Sequence, residues 1–324
     1  MNKQLRAEKS SLAVDHPSPL RKKIRTGLND HIDGADQLIA ALHSGAPRLF
    51  VTLFMKRTSD EQIALVEAVG DFLLVTAVKT CNLDACRLLI ARGANPNAVD
   101  DKLKPILSLA AQKGHIGIAE CLVDAGGTDG IHAALIPAAH FGFVSFLSFL
   151  LERGADANYA NEKGTTALMR AAQEGQAEVA AALLKFGADV NAFNSEGMTA
   201  LMFASQRGHS GLVVMLLDAG ALIDKQSRRG LTALSVATKR GHLQAIATLL
   251  GAGANKSIKD ETGKTPLEYA IEREYSDVVH IFTTGNRYVK MAAARWNRTK
   301  QRGQLTSVPK VSVRALPVIQ SQWA

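Results

Sequence analysis

Apolar residues recur at helical spacing through the middle of the chain, and polar or turn-forming residues separate the apolar stretches. In AEVAAALLKFG, residues 177–187, the valine, leucine and alanine residues fall on one helix face, and Gly187 follows where a left-handed cap would stand. TALMRAA (166–172) and TALMFAS (199–205) each begin at threonine, a favourable N-cap residue, and indicate short helices. The pattern therefore predicts pairs of short amphipathic helices joined by turns.

The helix pairs belong to an internal repeat with a period of 33 residues. The segments GTTALMRAAQEGQ, GMTALMFASQRGH and GLTALSVATKRGH begin at residues 164, 197 and 230 and share most of their letters. One helix–turn–helix repeat is too small to bury its apolar faces, whereas stacked repeats form one continuous core. We therefore expect a stack of repeats.

These repeats resemble the ankyrin repeat, whose pattern is roughly D-x-x-G-x-T-P-L-H-x-A-A-x-x-G-H followed by L-L-x-x-G-A-D-V-N-A. The resemblance covers about residues 67–285 in seven repeats. It implies an all-α fold, an α-solenoid of stacked helix–turn–helix ankyrin repeats with short β-turn or hairpin fingers. The proline of the pattern occurs only at Pro266. Other residues replace its histidine: Met169, Met202, Ser235 and Glu268.

Some repeats depart from the regular pattern. The step from Ala110 to Ala138 is 28 residues instead of 33, so we predict a truncated or irregular loop around Gly126–Gly130. The last repeat lacks the Gly-His pair and the following G-A-D, which indicates a terminal cap. Residues 31–66 have helical periodicity outside the register, and we expect an N-terminal helical cap or a degenerate repeat there.

Positive charge is concentrated at the two ends of the chain. The whole chain carries a net charge of +8, residues 1–25 carry +5 and residues 285–324 carry +8, which leaves −5 for residues 26–284. We expect a disordered basic tail over residues 1–30 and a basic C-terminal tail over residues 286–324, on either side of the repeat domain.

Each tail has one feature that is open to two interpretations. RKKIR (21–25) is either a nuclear-localisation or acidic-surface contact, or a solvated part of the tail. In the C-terminal tail, Tyr288, Met291, Ala294 and Trp296 form either a weak helix face for a membrane surface or a partner, or the frayed end of the repeats.

Cysteine usage and hydropathy indicate the compartment. The three cysteines, Cys81, Cys86 and Cys121, are too few for a disulfide framework and fit a reducing environment. The longest apolar run, FGFVSFLSFLL (141–151), is too short to cross a bilayer. We therefore expect an intracellular protein of the cytoplasm, with the nucleus as an alternative, and no transmembrane span.

No motif for catalysis, phosphate binding or metal binding stands out in the sequence. His115, His209 and His242 occupy the same position after glycine in their repeats, which favours helix-terminal hydrogen bonding over a metal site. Cys81 and Cys86 are five residues apart without a second pair, which is wrong for a zinc site. We therefore expect no cofactor, no metal and no enzymatic activity.

The resemblance implies that a partner binds at the finger tips and first helices. At those positions one repeat carries four basic residues of five, and Arg suits bidentate contacts with carboxylate or phosphate. We predict a basic strip with an apolar centre that recognises an acidic peptide or protein face; the alternative is a set of solvated residues that aid solubility. The predicted strip comprises Met198, Arg207, Arg228, Arg229, Leu231, Lys239 and Arg240.

The function that follows is that of a non-catalytic scaffold or adaptor, which binds a protein or peptide on the concave and finger face. The alternative is a protein that associates with nucleic acid or an anionic surface through its basic tails. Because repeat solenoids are commonly monomeric, we expect a monomer by analogy. The resemblance also marks Asn191, and more weakly Asn97 and Asn158, as positions that asparagine hydroxylases modify in this family.

Overall fold

A computed structural model describes residues 33–44, 47–284, 289–290 and 294 of the chain. The described residues divide into two compact bodies, an N-terminal body up to residue 203 and a C-terminal body from residue 204 onwards. The features predicted for the tails, including RKKIR and the side chains of Tyr288, Met291 and Trp296, lie outside the described residues.

Sixteen helices are found in the described residues, and the numbering below follows the chain. The N-terminal body contains α1 (Asp33–His43), α2 (Pro47–Met55), α3 (Ser59–Lys79), α4 (Leu83–Ala91), α5 (Ile106–Lys113), α6 (Ile116–Asp124), α7 (Ile131–Phe141), α8 (Val144–Glu152), α9 (Ala167–Glu174) and α10 (Ala177–Lys185). Helix α11 (Ala200–Arg207) contains the division between the bodies. The C-terminal body continues with α12 (Ser210–Asp218), α13 (Ala233–Arg240), α14 (Leu243–Gly251), α15 (Pro266–Glu272) and α16 (Ser276–Thr284).

From α3 onwards the helices form seven antiparallel pairs, which correspond to the seven predicted repeats. Helices α1 and α2 precede the pairs, and α3 continues through the predicted boundary between residues 66 and 67. Leucine and alanine fill the core, with Leu122, Leu147 and Leu183 fully buried in three successive second helices. The predicted all-α repeat fold is confirmed.

A glycine separates the two helices of most pairs because the next repeat packs directly on it. Gly114 ends α5 at φ +67°, and a Cβ there would lie 2.8 Å from the ring of Phe143 in the following repeat. Gly208 ends α11 at φ +77°, and a Cβ there would lie 2.8 Å from the ring of His242. The Gly-His pattern thus reflects both a left-handed backbone and a close approach between repeats.

Threonine begins the first helix of four repeats, as the sequence predicts. The hydroxyl groups of Thr166, Thr199, Thr232 and Thr265 each accept a hydrogen bond from the backbone amide three residues later. In the last two repeats the residue in the histidine position completes a capping box, because Ser235 and Glu268 accept from the Thr232 and Thr265 amides. Methionine has no oxygen that could accept this hydrogen bond, so the repeats with Met169 and Met202 lack a capping box.

A tight five-residue turn, here called a finger, precedes five of the first helices. In each finger the first residue's amide donates to the fifth residue's carbonyl, and its side-chain oxygen accepts from backbone amides of the turn. Isolated antiparallel bridges flank three of them, for example Phe193 with Thr199. The fingers span residues 100–104, 161–165, 194–198, 227–231 and 260–264.

The truncated loop predicted around Gly126–Gly130 is confirmed. Six residues separate α6 from α7, whereas fourteen separate α10 from α11. The short loop enters α7 through Gly130, which has φ +78° and lies so close to Pro105 that a Cβ would approach the Pro105 ring at 2.6 Å. The repeat of α7 and α8 therefore has no finger.

Candidate functional site

The predicted basic residues lie on two kinds of element in the C-terminal body. Arg207 is the last residue of α11, and Arg240 is the last residue of α13. Arg228 and Arg229 form the tip of finger 227–231. Finger 227–231 leads directly into α13, so Arg228, Arg229 and Arg240 belong to one repeat. Arg207 belongs to the preceding repeat.

Hydrogen bonds between repeats bring these elements side by side. His242 Nε2 lies 3.0 Å from the Gln206 carbonyl oxygen, so the ends of α11 and α13 are adjacent and Arg207 is a neighbour of Arg240. The backbone amide of Glu261 donates to the Arg229 carbonyl at 3.0 Å, so finger 260–264 stacks on finger 227–231. Arg228 and Arg229 thus share one finger tip, and Arg207 and Arg240 lie at two adjacent helix ends.

Four arginines of the predicted strip are exposed and have no acidic partner. No carboxylate in the described part of the chain lies within ion-pairing distance of Arg207, Arg228, Arg229 or Arg240. Residues 204–259 contain eight lysines and arginines against two acidic residues, a net charge of +6. These four guanidinium groups, called the arginine cluster below, remain available for an anionic ligand.

Lys239 has a different environment from the arginines. Its Nζ atom lies 4.0 Å from the centre of the Tyr269 ring and 3.8 Å from Asp260 Oδ2, and its side chain is only 30% exposed. A cation over an aromatic ring beside a carboxylate is already stabilised. Lys239 therefore joins the last two repeats and is not a free positive charge of the surface.

Asp260 is the centre of this contact between the last two repeats. Its side chain is 2% exposed and accepts hydrogen bonds from the hydroxyls of Thr262 and Tyr269 and from the amides of Thr262 and Lys264. Burial raises the pKa of the Asp260 carboxyl, but these hydrogen bonds outweigh burial and lower the pKa to about 2. The carboxylate is consequently ionised at neutral pH and holds the finger of the last repeat in place.

The predicted apolar centre of the strip differs from expectation. Met198 is only 7% exposed, so it adds no apolar surface. Its amide donates to Asn194 Oδ1 and its carbonyl accepts from the Asn194 amide, which closes finger 194–198 and turns this residue inwards. Leu231 occupies the same position one repeat later and is half-buried. The arginine cluster therefore has Leu231 as its apolar neighbour, without Met198.

Two features of the surface were not predicted from the sequence. The first is the contact of Lys239 with the ring of Tyr269, which is thirty residues later in the chain and meets Lys239 only because the repeats stack. Leu103 is 81% exposed at φ +59°, in the finger position where the other fingers have glycine. Aligning DDKLK with NEKGT, sixty-one residues later, would have revealed that leucine.

Neither metal ligation nor an activated thiol is found in the described residues. No group of three His, Cys, Asp or Glu side chains there could hold a metal ion. Burial raises the pKa of the Cys86 thiol well above its ordinary range and also raises the pKa of Cys121. Across the same residues, no helix combines the length and apolar character needed to span a bilayer.

Family models of ankyrin repeats match most of the repeat region. The model described as ankyrin repeats in three copies matches residues 135–227 and 219–290, and the one described as ankyrin repeats in many copies matches residues 74–123. A search of the curated proteins finds no match to this chain. The whole predicted strip lies within the matched residues.

Proposed function

Since this chain belongs to the ankyrin repeat family, whose repeats are generally protein–protein interaction modules and typically non-catalytic, we propose that it is a scaffold that binds an acidic segment of a partner protein. The observation that carries the proposal is the arginine cluster: four exposed guanidinium groups without acidic partners in the described residues, on one finger tip and two adjacent helix ends.

The chemistry of the guanidinium group favours a carboxylate ligand. Each arginine can donate two parallel hydrogen bonds to one carboxylate, which fixes orientation as well as charge. Exposed ion pairs each contribute only about 0.2–1 kcal/mol, so affinity requires several arginines acting together. Arginines that are unpaired in the free protein also avoid the cost of breaking an internal ion pair before binding.

The test measures binding of a fluorescein-labelled, glutamate-rich peptide to the full chain by fluorescence anisotropy. Changing Arg228, Arg229 and Arg240 together to Glu should weaken binding about tenfold or more, because three attractive contacts become repulsive. The matched control reverses three exposed basic residues of the N-terminal body, Lys56, Arg87 and Lys185, and should leave the affinity within about twofold. Equal affinities for both triple variants would refute the proposal.

The charged tails support a second candidate function, association with nucleic acid. Residues 1–25 and 285–324 carry net charges of +5 and +8. Binding through phosphates would fall steeply with salt and would disappear when both tails are removed, whereas the arginine cluster would be unaffected. Anisotropy with a labelled single-stranded oligonucleotide, alongside the acidic peptide, separates the two functions.

A further inference from the structure

A groove lies between helices α2 and α4 of the N-terminal body. The two helices run in the same direction, because Gln62 joins their C-terminal ends: its side-chain amide donates to the Phe54 carbonyl in the last turn of α2 at 3.3 Å, and its side-chain oxygen accepts from Arg92 Nε, directly after α4, at 2.9 Å. Towards their N-terminal ends the helices leave a cavity of about 510 Å³, here called the α2–α4 groove. Six residues line the groove, three from each helix: Arg48, Val51 and Thr52 of α2 and Asp84, Arg87 and Leu88 of α4.

The next helix along this row, α6, packs directly against α4. Its second residue is Gly117, and a Cβ there would lie only 3.2 Å from Leu83 Cδ2, at the start of α4. The second residue of α4 is Asp84, whose exposed side chain lines the groove. The α2–α4 groove therefore opens where a charged side chain stands in the position at which α6 has glycine.

The surface of the α2–α4 groove is mostly apolar. Val51 on α2 and Leu88 on α4 are half-buried and line the groove from its two sides. Arg48 and Arg87 are exposed, one on each helix. The aliphatic stem of an arginine adds apolar surface to such a groove while its guanidinium group stays in water. The groove therefore combines an apolar floor with one positive charge on each wall.

The two arginines of the groove are not ion-paired within the described residues. No carboxylate in that part of the chain lies within ion-pairing distance of Arg48 or Arg87. Asp84 also lines the groove, but it belongs to the first turn of α4, where the positive end of the helix dipole stabilises its charge. The groove therefore presents two guanidinium groups, on opposite walls, to an anionic ligand.

Charge and shape together indicate what fits the groove. The basic tails of the chain, with net charges of +5 and +8, would be repelled by the two arginines. A small molecule is bound in a pocket that covers most of its surface, whereas this groove is open to solvent at Arg48, Thr52 and Arg87. A helix can lie along the furrow between two parallel helices, and both walls are nine-residue helices, about 13 Å long. The groove therefore matches a short helix with an apolar stripe and acidic edges.

We propose that the α2–α4 groove binds a short amphipathic helix of a partner protein. Apolar side chains along one face of that helix pack on Val51 and Leu88, and acidic side chains on its two edges pair with Arg48 and Arg87. The groove is built from other elements than the fingers and the arginine cluster. The inference therefore goes beyond the proposed function, and either site can fail without the other.

The probe is a fluorescein-labelled, side-chain-stapled helical peptide with leucines along one face and glutamates along both edges; its control peptide has alanine in place of leucine. The full chain should bind the leucine peptide with a dissociation constant below about 1 mM. It should bind the alanine peptide at least about tenfold more weakly, because exposed ion pairs alone contribute little. Bound leucine peptide should slow amide hydrogen exchange in residues 47–56 and 83–92. Absence of binding, equal affinity for both peptides, or protection confined to the ends of α11 and α13 overturns the proposal.

Charge reversal of the two arginines tests the walls of the groove. Arg48→Glu combined with Arg87→Glu should weaken binding of the leucine peptide about tenfold or more, since two attractive contacts become repulsive. The matched control, Lys113→Glu with Lys185→Glu, makes the same change of net charge at exposed residues of α5 and α10 and should leave the affinity within about twofold. Equal affinities of the two double variants would contradict the assignment.

A bulky residue in place of Thr52 should close the groove. Thr52→Trp should abolish binding of the leucine peptide while the helical circular dichroism is retained, because Thr52 is exposed and its hydroxyl donates within its own helix, to the Arg48 carbonyl at 2.8 Å. Thr248→Trp is the control, since Thr248 makes the same bond to the Gln244 carbonyl of α14, also at 2.8 Å. Unchanged binding by Thr52→Trp would overturn the proposal. So would a dimer of the free chain, or binding to anionic phospholipid vesicles, that the arginine reversal abolishes, since these results assign the groove to a second copy or to a membrane.

Discussion

Asp260 shows how a single side chain connects two repeats. It accepts hydrogen bonds from Tyr269 and Thr262 and lies beside Lys239 of the preceding repeat. Asp260→Asn should lower the free energy of unfolding by about 1–3 kcal/mol, because Lys239 loses its counter-charge and an amide nitrogen cannot accept from Tyr269. Urea unfolding at neutral pH measures the change; Asp71→Asn, an exposed residue of α3, is the control and should have little effect.

The same carboxyl predicts a pH dependence. Its folded pKa of about 2 lies below the value of about 3.9 for an unfolded aspartate, so ionised Asp260 favours the folded state above about pH 4. That contribution is lost as the pH falls toward about 2, and the unfolding free energies of the unchanged chain and Asp260→Asn should converge there. A difference that stays constant down to that pH would mean that Asp260 does not stabilise the fold through its charge.

For single residues, the sequence predicts the charge of a side chain better than its exposure to solvent. The basic character of Arg207, Arg228, Arg229 and Arg240 is visible in the repeat alignment, and these residues are exposed as expected. The contact of Lys239 with the Tyr269 ring cannot be predicted from the alignment, because the two residues meet only where neighbouring repeats stack. Met198 and Leu231 also occupy one repeat position with different burial, since packing of each finger decides how far the side chain turns inwards.

At the scale of elements, the fingers depend on glycine for two separable reasons, backbone conformation and stacking. Gly230 has φ +71° and faces Asp260 at a distance that excludes a Cβ, whereas a Cβ on Gly263, at φ +77°, would meet nothing within 4 Å. Both Gly→Ala changes incur the left-handed backbone cost of about 1–2 kcal/mol. Gly230→Ala should cost about 1 kcal/mol or more beyond Gly263→Ala, measured by urea unfolding.

The N-cap of α13 gives a second prediction for an element. Thr232 is buried, accepts from the Ser235 amide and donates its own amide to Ser235 Oγ. Thr232→Ala should lower the unfolding free energy by about 1–2 kcal/mol, while Thr232→Ser, which keeps the hydroxyl, should cost clearly less. Equal losses in the two variants would mean that the methyl group, and not the cap, stabilises the helix.

Most elements could be predicted because framework letters recur in phase, and even the loop without a finger follows from the 28-residue step. The contacts of that loop could not be predicted in the same way. The sequence indicates that residues are missing, but only the structure shows the close approach of Gly130 to Pro105. Likewise, the sequence shows that histidine is replaced, but only the structure shows that Ser235 and Glu268 complete capping boxes through their own side chains.

At the scale of the whole molecule, charge is divided between the ends and the repeats. Removal of residues 1–25 and 285–324 changes the net charge from +8 to −5. The shortened chain should therefore lose affinity for a single-stranded oligonucleotide by about tenfold or more at low salt. Its affinity for the acidic peptide should remain within about twofold, since the arginine cluster is retained. Retained oligonucleotide binding would place nucleic-acid contacts on the repeats instead.

The distance between the adjacent ends of α11 and α13 also sets the spacing of acidic residues that we expect in the proposed partner. Helices in contact are spaced by about 8–10 Å, which sets the approximate distance between Arg207 and Arg240. An extended peptide covers that distance with about three residues, at roughly 3.3 Å each. A helical partner needs six or seven, at about 1.5 Å each. Because side chains of a strand alternate between its faces, acidic residues in a partner that binds as a strand should lie two or four positions apart, and in a partner that binds as a helix about seven apart, two turns along one face.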